Sequence, residues 1–144
     1  MNVLILNGPN LNMLGVREPE IYGYDTLVDI EQRCLTVGAA MGLNVVCKQS
    51  NYEGELIEWI QQATKNTSAI IINAGAYTHT SIALHDALKV ISGYKIELHI
   101  SNPHLRESFR HVSYVSKAVD AVVVGLGTSA YVACLETLPE LLAG

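Results

Sequence analysis

Arg17 and Tyr22 stand five positions apart in NGPNLNMLGVREPEIYG, residues 7–23, an irregular stretch that directly follows the apolar run VLIL. A phenol with a pKa near 10 is a poor base at neutral pH. A guanidinium within about 4–6 Å favours the phenolate and lowers such a pKa by about 1–3 units, which brings a tyrosine into the working range of a general base. Two prolines, and two glycines before the arginine, could fix the loop's course and hold the pair together. Tyr24 is a rival base, and the residues alone do not choose between the two tyrosines. A surface loop carrying an arginine and a half-buried tyrosine is the plain alternative.

His99 is the second candidate. In IELHIS, strand alternation sends Glu97, His99 and Ser101 to one side and Ile96, Leu98 and Ile100 to the other. A carboxylate beside an imidazole favours the charged ring, which suits a general acid. Asn73 ends the apolar run AIIIN, where an unpaired amide would cost about 1–3 kcal/mol, so a ligand hydroxyl or a water is expected to satisfy it. Thr78, Thr80 and Ser81 follow as capping residues and as a source of anion-friendly amides at a helix start. His79 and Asp86 are two helical turns apart and fall opposite the Leu84, Ala87, Leu88, Ile91 stripe. An outward aspartate there is either solvated or serves a neighbouring subunit. Arg106 and Arg110 have i, i+4 spacing and, if helical, form a basic spot suited to a carboxylate.

Other chemistry finds little support. The five histidines have no H-E-x-x-H spacing and no CxxC occurs, so no metal is expected. Cys34, Cys47 and Cys134 are odd in number, far apart and set in apolar pattern, as reduced core cysteines are. A net charge of −5 argues against nucleic acid. No basic stretch precedes an apolar leader and no run approaches membrane-spanning length, so a cytoplasmic location without membrane contact is expected. A Schiff-base enzyme needs a desolvated lysine, and the lysines avoid the strand ends that carry the candidates. A metal-dependent receiver domain needs acidic residues where this chain has Asn-Gly-Pro-Asn, and no P-loop or strand-one GxGxxG is present.

The elements that must position these residues follow from periodicity. Five apolar runs begin at Val3, Asn44, Ala69, Tyr94 and Ala121, with 3.6-period segments between most of them. Thr26 and Asp29 form a capping box for a helix that buries Leu27, Ile30, Cys34, Val37 and Met41 and stops at Gly42. The next helix turns Leu56, Ile57, Ile60 and Ala63 inward. A third starts near Thr80, and a last runs from about Ser129 to Leu142. This alternation predicts one α/β domain over residues 1–144, a flavodoxin-like, doubly wound, five-stranded parallel sheet of order 2-1-3-4-5. The hydrophobic fraction of 49% fits a sheet covered on both faces, a subunit interface, or both. In such a sheet the ligand crevice lies beyond the carboxyl ends of the strands at the switch between strands one and three, where the candidate residues gather.

Taken together, LNGPNLNMLGVREPEIYG, QSNYEGELIEWI, NAGAYTHTSIAL with DAL after His85, IELHISN and RESFRHVSY resemble type II 3-dehydroquinate dehydratase over nearly the whole chain. The resemblance implies dehydration of 3-dehydroquinate to 3-dehydroshikimate through an enolate, in the shikimate or quinate pathway, without metal or cofactor. It implies trimers, usually assembled as dodecamers. By motif it makes Tyr22 rather than Tyr24 the base, Arg17 its tuning cation, and Asn10 the holder of a water beside the enolate. His99 becomes the acid with Glu97 as support, and Asn73, His79, Ile100, Ser101 and Arg110 become substrate contacts. Asp86 matches an aspartate that reaches an adjacent subunit's site. His85, where many relatives carry arginine, and Asp120 and Ala130, near strand five, depart from the family pattern.

Overall fold

The structure is a computed structural model that describes residues 1–16 and 18–144, with Tyr22 described in its backbone alone. Five strands, β1 (Asn2–Asn7), β2 (Asn44–Gln49), β3 (Ala69–Asn73), β4 (Tyr94–His99) and β5 (Ala121–Val124), pair in parallel in the order β2-β1-β3-β4-β5. The helices are α1 (Pro19–Tyr22), α2 (Leu27–Ala40), α3 (Glu53–Gln62), α4 (Ile82–Lys89) and α5 (Ala130–Ala143). The flavodoxin-like order expected from the alternating runs is the order observed.

Side-chain alternation divides the core into two layers. Val3, Ile5, Ala69, Ile71, Ile96 and Leu98 pack against α2 and α5. Leu4, Leu6, Ile70 and Ile72 pack against α3 and α4, where Leu56, Ile60, Leu84 and Leu88 are fully buried. A sheet enclosed on both sides needs apolar residues at successive positions, and β1 and β3 supply them. On β4 the register sets Glu97 beside Ile72, so a carboxylate stands where the neighbouring strand has isoleucine.

The capping box forms: the Thr26 hydroxyl accepts from Asp29 N–H and the Asp29 carboxylate accepts from Thr26 N–H. Gly42 follows α2 at φ 74°, a conformation open to glycine because it has no Cβ. The start of α4 differs from expectation. Ser81 is the cap, accepting from Leu84 N–H at 2.9 Å, and the helix opens at Ile82. The preceding residues Gly75–His79 form a separate 3-10 turn, so His79 and Asp86 do not share a helix face. Arg106 and Arg110 likewise belong to two short 3-10 elements around Pro103–Leu105 and Ser108–Arg110 rather than to one helix. The irregular segment after β1 contains a 3-10 turn, Leu11–Met13, and then α1 with Pro19 at its first position.

Two loops meet closely beyond the carboxyl ends of β1 and β3. Gly8 N–H donates to the Asn73 carbonyl at 2.8 Å. A Cβ on Gly8 would come within 2.5 Å of the Ala74 carbonyl oxygen, and one on Gly75, at φ +59°, within 3.0 Å of the Pro9 oxygen. Glycine at these positions is what lets the backbones touch. Asp25 fastens the far end of the β1–α2 segment, accepting from Thr128 at 2.6 Å and from Arg33 at 2.7 Å. The Thr128 hydrogen bond, then that of Arg33, hold its carboxyl below the usual range.

Candidate active site

The crevice at the carboxyl edge is lined by residues from three strand ends and the loop after β4. Asn10 comes from the loop after β1, Asn73 from the end of β3 and His99 from the end of β4, with Ile100, Ser101, Arg106 and Arg110 from the segment that follows β4. Its empty space, open mouth included, is about 630 Å³. Asn10 enters it from a left-handed conformation, φ 68°, which asparagine tolerates better than most residues. Its N–H donates to the Asn51 side chain at 3.0 Å, and the Asn51 carbonyl accepts from Tyr77 at 2.7 Å. The end of β2 thus steadies the loop that follows β1.

His99 donates Nε2–H to Glu97 at 2.6 Å, the pairing that strand alternation predicts. Behind it Glu97 is wholly buried. Its Oε2 also accepts from Thr78 and Ser113, each at 2.7 Å, and its Oε1 accepts from Ser116. Burial by itself pushes this carboxyl up. The His99 hydrogen bond, the Ser116 hydrogen bond, the imidazolium charge and Thr78 outweigh it and hold the group at about 2, against an ordinary 4.5. Glu97 is therefore a carboxylate at neutral pH, and the ring beside it is held with Nε2 protonated and fixed in direction.

Arg110 donates Nε–H to Glu107 at 2.5 Å while lining the crevice. Arg106 donates to the Ser101 hydroxyl at 3.4 Å. His79 is held by the Val112 carbonyl at 2.7 Å and borders a recess that also reaches His99, Glu97 and Arg110. Asp86 does not line the crevice: it is exposed on α4, with its carboxylate 2.9 Å from His85 Nδ1. Arg17 and the Tyr22 side chain lie outside the described residues. Tyr24, the rival base, is 82% exposed.

Asn73 corrects one expectation. Its amide needs no ligand to be satisfied, because Nδ2 donates to the Tyr131 hydroxyl at 3.0 Å and Oδ1 accepts from Gly75 N–H at 3.2 Å. Thr78 corrects another, since its hydroxyl serves Glu97 and not a helix cap. Sequence reasoning did not find Ser113, Ser116 or Tyr131. A buried glutamate demands donors, and the serines three apart in HVSYVSK were the available signal; so was a lone tyrosine in the apolar stretch that opens α5.

A flavodoxin-like sheet with a carboxylate-held imidazole in the crevice beyond its carboxyl edge defines an α/β enzyme. A family model described as dehydroquinase class II matches residues 1–139, and the chain belongs to that family. It is similar to the 3-dehydroquinate dehydratase of Variovorax paradoxus, 55% identical over 141 residues that cover 94% of this chain and 97% of that protein. It is also 50% identical to 3-dehydroquinate dehydratase 1 of Agrobacterium fabrum, covering 98% and 97% of the two chains. The crystal structure of type II dehydroquinase from Propionibacterium acnes superposes with a TM-score of 0.94 at 42% identity, covering 96% of each chain. Among the described residues no helix is long and apolar enough to cross a membrane.

Proposed function

We propose that this chain is a cytoplasmic hydro-lyase that removes water from 3-dehydroquinate to give 3-dehydroshikimate, in the shikimate or quinate pathway. The carrying observation is the His99–Glu97 pair at the crevice, 2.6 Å apart and shielded from solvent behind the ring. Tyr22, as phenolate beside Arg17, takes a proton from the carbon next to the ketone. Electrons move into the carbonyl and form an enolate, which donors in a site poor in bulk water stabilise strongly; Asn10 holds a water there. The enolate then collapses, the C1–O bond breaks, and His99 protonates the departing hydroxyl. With Nε2 committed to Glu97, Nδ1 is the nitrogen that delivers this proton.

Asn73, His79, Ile100 and Ser101 contact the substrate, and Arg110 receives its carboxylate, fixing the ring for both proton transfers. The working form is a trimer, assembled as a dodecamer, in which Asp86 reaches an adjacent subunit's site. Ultraviolet absorbance after addition of 3-dehydroquinate tests the activity, since the conjugated product absorbs and the substrate does not. Tyr22→Phe tests the base: kcat falls by about 10²–10⁴-fold, whereas near-normal turnover rejects Tyr22 in that role.

A further inference from the structure

We infer that Tyr131 is a positioning residue that locks the Asn73 amide in the orientation Gly75 N–H selects, and so fixes what the amide offers the substrate. This rests on the proposed role of Asn73 as a substrate contact. Tyr131 is on α5, has no exposed surface, and is not among the residues that line the crevice. Asn7 and Asn73 are register partners on adjacent parallel strands, and the Tyr131 hydroxyl bridges their side chains from the helix above.

The sense of this chain is set at one end by a group that cannot reverse. Gly75 N–H is a backbone donor, so the atom 3.2 Å from it must be Asn73 Oδ1, the amide's acceptor. That turns Nδ2 toward Tyr131, where the hydroxyl oxygen accepts at 3.0 Å. With its lone pair so used, the hydroxyl sends its proton to Asn7 Oδ1 at 2.6 Å. Burial drives the phenol far above the ordinary tyrosine value, with the Asn73 hydrogen bond opposing only in part. Tyr131 therefore keeps its proton, and remains a donor, at neutral pH. A flipped Asn73 would set an NH₂ against Gly75 N–H, losing that hydrogen bond, and would draw the tyrosine proton away from Asn7 Oδ1. What remains for a ligand is one Nδ2 hydrogen and one Oδ1 lone pair in a fixed arrangement. Asn7 Nδ2, at the chain's far end, has no partner among the described residues.

The test is a double-mutant cycle with Tyr131→Phe and Asn73→Ala, read as KM and kcat for 3-dehydroquinate. Tyr131→Phe should raise KM about five- to tenfold and leave kcat within about twofold, the pattern of lost uniform binding. Asn73→Ala should raise KM further, and Tyr131→Phe should add nothing in that background. Leu135→Ala, a buried change on the same helix, should lower Tm with KM unmoved, separating positioning from general destabilisation. An unchanged KM in Tyr131→Phe, or the same KM increment with Asn73 absent, overturns the inference while leaving Asn73 as a substrate contact. An unchanged KM in Asn73→Ala overturns that contact and the inference with it. Should Tyr131→Phe not fold, Asn7→Ala frees the hydroxyl proton to approach Asn73; its KM should rise, and a wild-type KM overturns the inference.

Discussion

A carboxylate with no access to water keeps its charge only where donors replace the lost hydration, and four side chains do this for Glu97. Its folded-state value lies below its unfolded value, so the sign of its pH dependence is fixed. Its contribution to stability is complete above about 4.5 and is lost as pH falls toward about 2. Glu97→Gln keeps the shape and removes the charge. Urea midpoints at pH 6 and pH 3 should therefore fall closer together in the variant than in the parent chain. Turnover should drop by up to about 10²-fold, because the ring loses the charged acceptor that fixes its direction. Equal pH sensitivity of the two midpoints would remove Glu97 as the buried charge at issue.

At the scale of elements, the site exists because the loops after β1 and β3 come into backbone contact, and Gly8 is the narrowest point. Gly8→Ala places a methyl within 2.5 Å of the Ala74 oxygen, and backbone cannot swing aside as a side-chain tip can. The expected effect is a loss of about 1–3 kcal/mol in unfolding free energy, with KM raised as Asn10 and Asn73 separate. Denaturant titration beside steady-state kinetics checks both, and a parent-like midpoint would mean that the two loops are not mutually fixed. Nothing in the chain's periodicity identifies Gly8 in this way. Strand order, the two-faced core, the Thr26 cap and the Gly42 stop were legible because each depends on local chemistry or on a period of 2 or 3.6. The Glu97–His99 pair was legible for the same reason, being two residues apart on one strand. The hydroxyls that hold Glu97 come from outside its own strand, and Tyr131 meets Asn73 across 58 positions of sequence. Such contacts are products of tertiary packing: the local sequence can mark a polar side chain in an apolar setting but does not name its partner.

At the scale of the molecule, the position of Asp86 bears on how subunits share a site. Its side chain is 71% exposed, it pairs with His85, and it stands apart from the crevice, yet the proposed assembly gives it work in a neighbouring site. If so, each working site combines Tyr22 of one subunit with Asp86 of another, and two inactive variants should complement. Tyr22→Phe and Asp86→Ala chains, unfolded together and refolded as a mixture, should form hybrids in which some sites are whole. A site is whole when its body carries Asp86→Ala and its neighbour carries Tyr22→Phe. Random assembly of equal amounts makes that about one site in four, so the mixture should recover about a quarter of parental activity. The same variants refolded separately and then combined should show only their own residual rates. If the co-refolded mixture is no more active than that control while hybrids are present by native mass measurement, Asp86 does not act across a subunit boundary. Its pairing with His85 would then be an ordinary surface contact.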